Sequence, residues 1–165
     1  MLARQRSLNA QQPHFAMTKL ASGMVIVRRF DEGWRWLMLR AYRNWDFPKG
    51  EVEPGENPLA AARREVEEET SLSAVVMRWG EDYCETAPYR GKVARYYLAE
   101  APDGDVSLPI SAELGRAEHH EFRWMALEAA QALAPGRLQP ILAWAAQRVL
   151  GANAAAAQRN LGQAL

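Results

Sequence analysis

Apolar runs with strand-like composition alternate along the chain with turn signals. Residues 22–30 and 34–40 are β-branched, apolar and aromatic, and the intervening Asp31-Glu32-Gly33 contains turn residues, so this region predicts a β-hairpin. Residues 42–56 contain two prolines and two glycines and predict a loop or a short edge strand. Further strands are predicted at residues 74–80, 83–87, 92–100 and 122–125.

Three segments show helical patterns. Asn57 precedes Pro58, the pair expected at an N-cap and a first helical position, and a helix is predicted from Pro58 to about Thr70. A short helix at 127–134 and a longer one at 137–150 follow the last strand. The order of strands, helix, strands and helices predicts an α+β fold with helices packed on a mixed sheet.

The chain length of 165 residues predicts one domain. Residues 1–19 show no strand or helix periodicity and predict a flexible leader. The folded domain is placed at residues 20–150, and the Ala-rich residues 151–165 predict a tail that frays or extends the last helix.

Charge and cysteine content narrow the classes of function. Twenty Lys plus Arg balance twenty Asp plus Glu, which disfavours a protein that coats nucleic acid or membranes. Cys84 is the only cysteine, so the chain forms no internal disulfide and no thiolate zinc site. Since the sequence has neither a membrane-length apolar run nor a signal peptide, a cytoplasmic location is expected.

The first predicted helix carries a cluster of carboxylates. At about 100° per residue, Glu65 and Glu69 lie side by side near the apolar face, Glu68 lies one step further round, and Glu56 arrives from the preceding loop. Like charges at these spacings destabilise a helix by a few tenths of a kcal/mol each. Arg64 offsets only part of this charge, and clustered carboxylates are common ligands of Mg²⁺ or Mn²⁺.

An acidic helix in an unrelated α+β domain is the plain alternative, because acidic runs on helices are mostly solvated. The fixed spacing of the acidic, basic, apolar and glycine positions in 50–72 argues against it, since its chance occurrence is about one in a million for a chain of this length.

The segment 50–72 resembles the Nudix box, G-x5-E-x7-R-E-U-x-E-E-x-G-U, in which U is apolar. The matching residues are Gly50, Glu56, Arg64, Glu65, Val66, Glu68, Glu69 and Leu72. Ser71 stands where the family usually has Gly. Because a positive φ is easiest for glycine at a helix C-terminus, we expect a strained or reshaped turn with retained activity.

Resemblance to the Nudix family implies an α/β/α sandwich with a mixed sheet. It also implies Mg²⁺-dependent hydrolysis of a nucleoside diphosphate linked to another moiety, by attack of metal-activated water on phosphorus. Three further segments are similar to the dinucleoside polyphosphate (Ap4A-type) hydrolase branch, so a substrate such as Ap4A is expected. They are ASGMVIVRR, WDFPKGEVEPGE and EHHEFRWMALEAA.

Two alternatives stay open within this resemblance. RNA 5′-pyrophosphohydrolases share a similar FP-x-G segment and a late R-W, so release of pyrophosphate from RNA 5′ ends or from nucleoside triphosphates is one of them. A Nudix-fold nucleotide-binding module without turnover is the other, although the intact Glu65, Glu68 and Glu69 count against it. A small nucleotide is the expected partner, and both a monomer and a homodimer are compatible with the sequence.

The resemblance further implies a metal site and catalytic residues. The expected metal ligands are the Gly50 carbonyl and the side chains of Glu56, Glu65, Glu68 and Glu69, with Glu56 acting directly or by orienting another ligand. Arg64 is expected to form a salt bridge with one of these glutamates.

The identity of the proton acceptor stays open among four carboxylates. Glu118, a late glutamate beside a histidine, matches a residue that joins the metal site in this branch, with Glu121 and Glu113 as alternatives, and Glu69 is the other candidate base.

Substrate-binding residues are expected on both sides of the box. Lys49 and Arg40 are candidate phosphate clamps, and His119 is a candidate donor to phosphate. Tyr83 and Tyr96, with Tyr89 nearby, occupy positions near those at which this branch stacks adenine.

Overall fold

A mixed sheet of seven strands forms the middle layer of the protein. The computed structural model describes residues 18–162, with side chains described up to residue 151. The strands are β1 (Lys19–Phe30), β2 (Gly33–Ala41), β3 (Asn44–Asp46), β4 (Lys49–Glu51), β5 (Tyr83–Glu85), β6 (Lys92–Glu100), β7 (Ile110–Ser111), β8 (Arg116–Ala117) and β9 (Glu121–Met125). The sheet has the order β3-β2-β1-β6-β5, with β4 paired to β1 and β9 paired to β2. Strands β7 and β8 form a separate hairpin.

Helices cover both faces of this sheet. They are α1 (Pro58–Thr70), α2 (Leu127–Leu133) and α3 (Gln139–Gly162), with a 3₁₀ turn at Gly136–Leu138 before α3. Successive residues of a strand point to opposite faces, so Met24 and Ile26 of β1 pack in the core layer under α1 while Val25 and Val27 pack in the layer under α2 and α3. The α+β class and the α/β/α sandwich are therefore confirmed.

Two pairings of β1 position the functional region. β1 and β2 form the expected antiparallel hairpin, with Phe30 opposite Gly33. β1 also pairs in parallel with β6, from Lys19 opposite Lys92 to Val27 opposite Glu100. The parallel pairing places the starts of β1 and β6 side by side, next to β4.

The prediction of a strand at residues 74–80 is wrong. Only Val76 makes a bridge, to Glu100 at the end of β6, and the chain then turns so that the Gly80 amide donates to the Met77 carbonyl. Gly80 has φ of +90°, a conformation that ends an extended run. Val76 is half exposed, so its apolar character does not report a buried strand.

The ends of the chain lie partly beyond the described structure. Residues 1–17 of the expected leader and residues 163–165 of the tail are outside it. Residues 151–162 continue helix α3, which is one of the two expectations for the tail. None of the helices between residues 18 and 162 combines the length and apolar character that crossing a membrane requires.

Ser71 closes helix α1 in a left-handed conformation, with φ of 66° and ψ of 6°. Its amide donates to the Glu67 carbonyl, and its hydroxyl lies 2.5 Å from the Ser107 hydroxyl. The turn thus keeps the geometry that suits glycine, and a hydrogen bond to Ser107 offsets part of the strain of a residue with a Cβ.

Substitutions of Ser71 separate these two effects. Ser71→Ala keeps the strained Cβ and loses the hydrogen bond, so we expect a loss of about 1 kcal/mol, or roughly 2–4 °C in Tm. Ser71→Gly loses both the strain and the hydrogen bond, so we expect its Tm to be close to that of wild type. We expect both variants to retain activity. Thermal melts with Ser73→Ala as an exposed control test this, and a wild-type Tm for Ser71→Ala would contradict it.

Candidate functional site

A cavity of about 780 Å³ opens beside helix α1. Residues 49–54, from β4 and the loop after it, form one wall, and the acidic positions of α1 form the second. Residues 108–113, leading into the β7–β8 hairpin, form the third wall, and Glu118 and His119 complete the lining. Every expected metal ligand except Glu56 lines this cavity.

Local sequence signals place the carboxylates of α1. The Asn57 side chain accepts hydrogen bonds from the Leu59 and Ala60 amides at 2.9 and 3.3 Å, which fixes where the helix begins. Glu65 and Glu69, one turn apart, are only 8% and 6% exposed. The helix therefore presents two nearly buried carboxylates to the same cavity.

Arg64 binds three of the glutamates of the predicted site. Its guanidinium donates to both oxygens of Glu56 at 2.9 Å, to Glu65 at 2.7 Å and to Glu68 at 3.2 Å. The hydrogen bonds from Arg64 lower the pKa of Glu56 to about 2. Glu56 therefore fixes the position of the Arg64 guanidinium, which in turn holds Glu65.

Among the described residues, no Lys, Arg or His side chain forms a salt bridge with Glu69. Its Oε2 accepts the Lys49 amide at 2.9 Å, while its Oε1 is buried without a hydrogen-bond partner among the described residues. Burial, together with the neighbouring Glu118 and Glu65, raises the pKa of Glu69 well above its ordinary value. An ionised Glu69 thus requires a positive group that the described side chains do not supply.

Gly50 brings the backbone of β4 against this cluster. A Cβ at this position would lie 2.1 Å from the carboxylate of Glu65, so a side chain does not fit. The Gly50 backbone and the glutamates form an oxygen-rich set. Glu69 Oε1, which has no partner within the described residues, is placed to accept a positive partner. The donors present fit a hard divalent cation such as Mg²⁺.

Glu118 and His119 complete one end of the cavity. One carboxylate oxygen from each of Glu69 and Glu118 and one ring nitrogen of His119 lie within 4.8 Å of one another. Glu118 is exposed, whereas His119 is 9% exposed and its Nδ1 is buried without a partner in the described structure. Burial lowers the pKa of His119.

Two lysines lie near the carboxylates, Lys49 in β4 and Lys92 at the start of β6. Lys49 Nζ lies 3.3 Å from the Asp46 carboxylate; although burial opposes it, Asp46 and Tyr89 raise the pKa of this lysine. A second cavity of about 240 Å³ shares Lys49 and Glu118, among other residues, with the first and is also lined by Lys92. An anionic chain that enters the first cavity therefore meets cations next to the carboxylates.

Sequence reasoning did not predict that Asp46, Arg137 and Lys92 lie near this site. Asp46 accepts hydrogen bonds from Arg137 at 2.5 Å and from the Tyr96 hydroxyl at 2.9 Å, and Lys92 begins β6. Arg137 is 91 residues from Asp46, and Lys92 reaches the site through the parallel β1–β6 pairing. The basic and acidic residue types were visible, but no local signal showed that they converge.

Three expected substrate contacts lie away from the cavity walls. Tyr96 is fully buried in the core, so its ring presents no face to a nucleobase. Tyr83 is half exposed on β5, where the Arg95 guanidinium stacks over it at 3.9 Å. Arg40 is held by Glu121 at 2.5 Å. Of the alternative late carboxylates, Glu113 lines the cavity and Glu121 does not.

Known proteins are similar to this chain in sequence and in fold. The family model of the Nudix domain matches residues 17–145. The asymmetrical bis(5′-nucleosyl)-tetraphosphatase of Rattus norvegicus is 34% identical over 131 residues, which cover 72% of this chain and 86% of the rat protein. An RNA pyrophosphohydrolase of Bartonella bacilliformis is 30% identical over 104 residues, covering 51% of this chain and 58% of that protein.

A solved structure agrees with the sequence comparisons. The binary complex of a C. elegans Ap4A hydrolase superposes with a TM-score of 0.69 and 27% identity, over 79% of this chain and 98% of that one. The glutamates of helix α1 at one cavity, the sandwich fold and these similarities lead to the same conclusion. The chain belongs to the Nudix hydrolase family.

Proposed function

We propose that this protein hydrolyses a dinucleoside polyphosphate such as Ap4A, in a reaction that requires Mg²⁺ or, as a substitute, Mn²⁺. The proposal is carried by Glu69 Oε1, which is buried without a hydrogen-bond partner in the described part of the chain, in a carboxylate-lined cavity beside Lys49 and Lys92. Carboxylates suit a divalent ion, and the adjacent lysines suit the phosphates that such an ion helps to bind.

The Gly50 carbonyl and the side chains of Glu65, Glu68 and Glu69 would hold the ion. Glu56 acts mainly through Arg64, because both of its oxygens accept from that guanidinium. When bound, a divalent ion neutralises phosphate charge and activates water. The protein supplies the fixed positions, since Arg64 and the Lys49 amide each hold a carboxylate in one orientation.

Lys49 and Lys92 bind the phosphate chain beyond the ion. Both line the smaller cavity, and Lys49 lines the larger one as well. The Asp46 carboxylate, at the end of β3, lies 3.3 Å from the Lys49 ammonium and restrains it. His119 also lines the larger cavity, whereas Arg40, Tyr83 and Tyr96 have no part in this proposal.

Glu118 is the proposed proton acceptor. It is exposed at the cavity edge, and one of its oxygens lies within 4.8 Å of a Glu69 oxygen. Glu69 is less suited to this role because its Oε2 is occupied by the Lys49 amide and its Oε1 is buried. An accessible carboxylate exchanges its proton with solvent after each turnover, as a general base must.

The relatives support a dinucleoside tetraphosphate as substrate. The rat protein is named for the asymmetrical cleavage of such a compound, and the C. elegans structure is of an Ap4A hydrolase. Removal of pyrophosphate from RNA 5′ ends is the second candidate, favoured by the similarity to the B. bacilliformis enzyme over about half of the chain.

A substrate panel decides between these candidates. The wild-type protein with Mg²⁺ is given Ap4A, a 5′-triphosphorylated RNA oligonucleotide and a nucleoside triphosphate, and kcat/KM is measured for each. We expect Ap4A to exceed the others by at least about tenfold, because two lysines beside the ion favour a long phosphate chain. A preference for the RNA or for the triphosphate would overturn the choice of substrate but leave the metal site standing.

A further inference from the structure

We propose that Tyr42, at the tip of the β2–β3 turn, stacks against the nucleobase at one end of a dinucleoside polyphosphate. The proposal rests on the proposed function for the class of substrate, and it adds a residue that binds the second nucleoside. Tyr42 is 68% exposed, the largest exposure of any aromatic side chain in the described part of the chain. Its ring is therefore open to a ligand.

The turn holds Tyr42 in an unfavourable backbone conformation. Ala41 pairs with Asn44, so only two residues join β2 to β3, and Tyr42 has φ of 55°. Hairpin turns of this length favour Gly, Asn or Asp at a position with positive φ. A bulky aromatic residue there strains the backbone, and strain of this kind clusters at ligand-binding sites.

Side chains hold both backbone polar groups of Tyr42. Its amide donates to His120 Nε2 at 2.8 Å, and its carbonyl accepts from the Arg40 guanidinium at 3.0 Å. Arg40 is itself held by Glu121, with 2.6 Å between Nε and the carboxylate. These contacts fix the turn while the ring stays exposed, so little freedom is lost when a base stacks on it.

Tyr42 lies beside the larger cavity. Arg116 donates to the Tyr42 hydroxyl at 3.2 Å, and it pairs with Ser111, a residue of the cavity wall. The His120 ring meets the Tyr42 ring edge to face at 6.2 Å, and the preceding residue, His119, also lines the cavity. A ligand that leaves the cavity at this edge therefore meets the Tyr42 side chain.

The sheet order separates Tyr42 from the lysines of the proposed phosphate site. β2, which ends at Ala41, and β6, which begins at Lys92, lie on opposite sides of β1. A dinucleoside polyphosphate has a nucleoside at each end of its phosphate chain. A chain bound beside Lys49 and Lys92 thus leaves one end of the substrate for the β2 side, where Tyr42 lies.

The charge next to Tyr42 suits a nucleotide. Arg43 follows it in the turn, and the Arg116 guanidinium lies 5.9 Å from the centre of its ring. Neither arginine forms a salt bridge with a carboxylate between residues 18 and 151. An aromatic face stacks on any nucleobase, and the two cations offset the charge of the adjoining phosphate.

Binding of non-hydrolysable analogues to the full chain with Mg²⁺ tests the proposal. Calorimetry compares methylene-bridged Ap4A, which has two nucleosides, with methylene-bridged adenosine 5′-tetraphosphate, which has one. We expect wild type to bind the dinucleoside analogue at least about fivefold more tightly. Tyr42→Leu should weaken binding of this analogue by about 5- to 100-fold and change that of the mononucleoside analogue by less than about twofold. Tyr42→Phe, the matched control, keeps the ring and should bind both analogues as wild type does.

Four other outcomes would each overturn the proposal. Equal affinity of wild type for the two analogues means that the second nucleoside has no site, and unchanged affinities in Tyr42→Leu mean that Tyr42 is not part of one. Equal losses for both analogues in Tyr42→Leu, or a loss in Tyr42→Phe as large as in Tyr42→Leu, assign Tyr42 a structural role in holding the β7–β8 hairpin. Because these ligands are not cleaved, wild-type protein that leaves Ap4A intact would refute the proposed reaction without affecting this test.

Discussion

Replacing Glu69 with Gln is expected to abolish hydrolysis and to stabilise the metal-free protein. Loss of the carboxylate removes a proposed metal ligand, and we expect kcat to fall by at least about 100-fold. In the absence of metal, the same substitution replaces a buried acid, one oxygen of which has no partner among the described residues, with a neutral side chain. We expect the free energy of unfolding to rise by roughly 1–3 kcal/mol, or about 2–4 °C in Tm per kcal/mol.

The stability difference should depend on pH. Burial raises the pKa of Glu69 above that of the unfolded chain, so its contribution to stability is fully present below the unfolded value of about 4.3. That contribution is lost as the pH rises through the folded value. In EDTA, the Tm of Glu69→Gln should therefore exceed that of wild type by a margin that grows from pH 5 to pH 8.

Thermal melts with and without divalent ion check this prediction. Adding Mg²⁺ at pH 8 should stabilise wild type and leave Glu69→Gln unchanged, which closes the gap. Glu67→Gln, an exposed glutamate of the same helix, is the control for a general change in helix charge. A Glu69→Gln protein that still hydrolyses Ap4A, or that melts below wild type in EDTA at pH 8, would remove Glu69 from the metal site.

Gly50→Ala is expected to have the second large effect. The new Cβ would lie 2.1 Å from the Glu65 carboxylate, which must then move and break its 2.7 Å bond to Arg64. Overpacking of this kind costs about 1–3 kcal/mol. Because Glu65 no longer faces the cavity in its original position, we expect kcat/KM to fall at least about 100-fold.

Gly136→Ala is the matched control for this substitution. A Cβ at Gly136 meets no atom within 4 Å and its φ is not positive, so activity and Tm should stay near wild type. Kinetics, thermal melts and Mg²⁺ titration of the two variants give the comparison. Wild-type turnover by Gly50→Ala would show that the position of Glu65 does not matter for the reaction.

The part of the site that the sequence predicted is the part with local signals. Helix α1 spans Pro58–Thr70 as expected, because Asn57 caps it and its apolar positions recur at the helical period. The same period places Glu65 and Glu69 on one flank. Local composition and the turn at Gly33 were equally sufficient for the β1–β2 hairpin.

Long-range contacts account for what the sequence did not predict. Tyr96 and Tyr97 alternate across β6, and the period of two does not say which of them faces the core under α3. Tyr96 is in that core, which is why it is closed to a nucleobase. Likewise, Arg137 reaches Asp46 only because α3 packs on the sheet, an arrangement that no short segment encodes.

Strand prediction at 74–80 failed for a related reason. The apolar composition of this segment is typical of a strand. In the structure, however, the segment makes one bridge, from Val76 to Glu100, and Val76 is half exposed. Whether an apolar run joins a sheet depends on a free neighbouring edge as well as on its own residues.

Incubation of the wild-type protein with Ap4A, with separation of the products by chromatography, tests the metal-dependent hydrolysis most directly. With Mg²⁺ we expect equal amounts of ATP and AMP, and with EDTA in place of Mg²⁺ we expect no cleavage. Ap4A that stays intact with Mg²⁺, or that is cleaved equally well in EDTA, would contradict the proposed reaction.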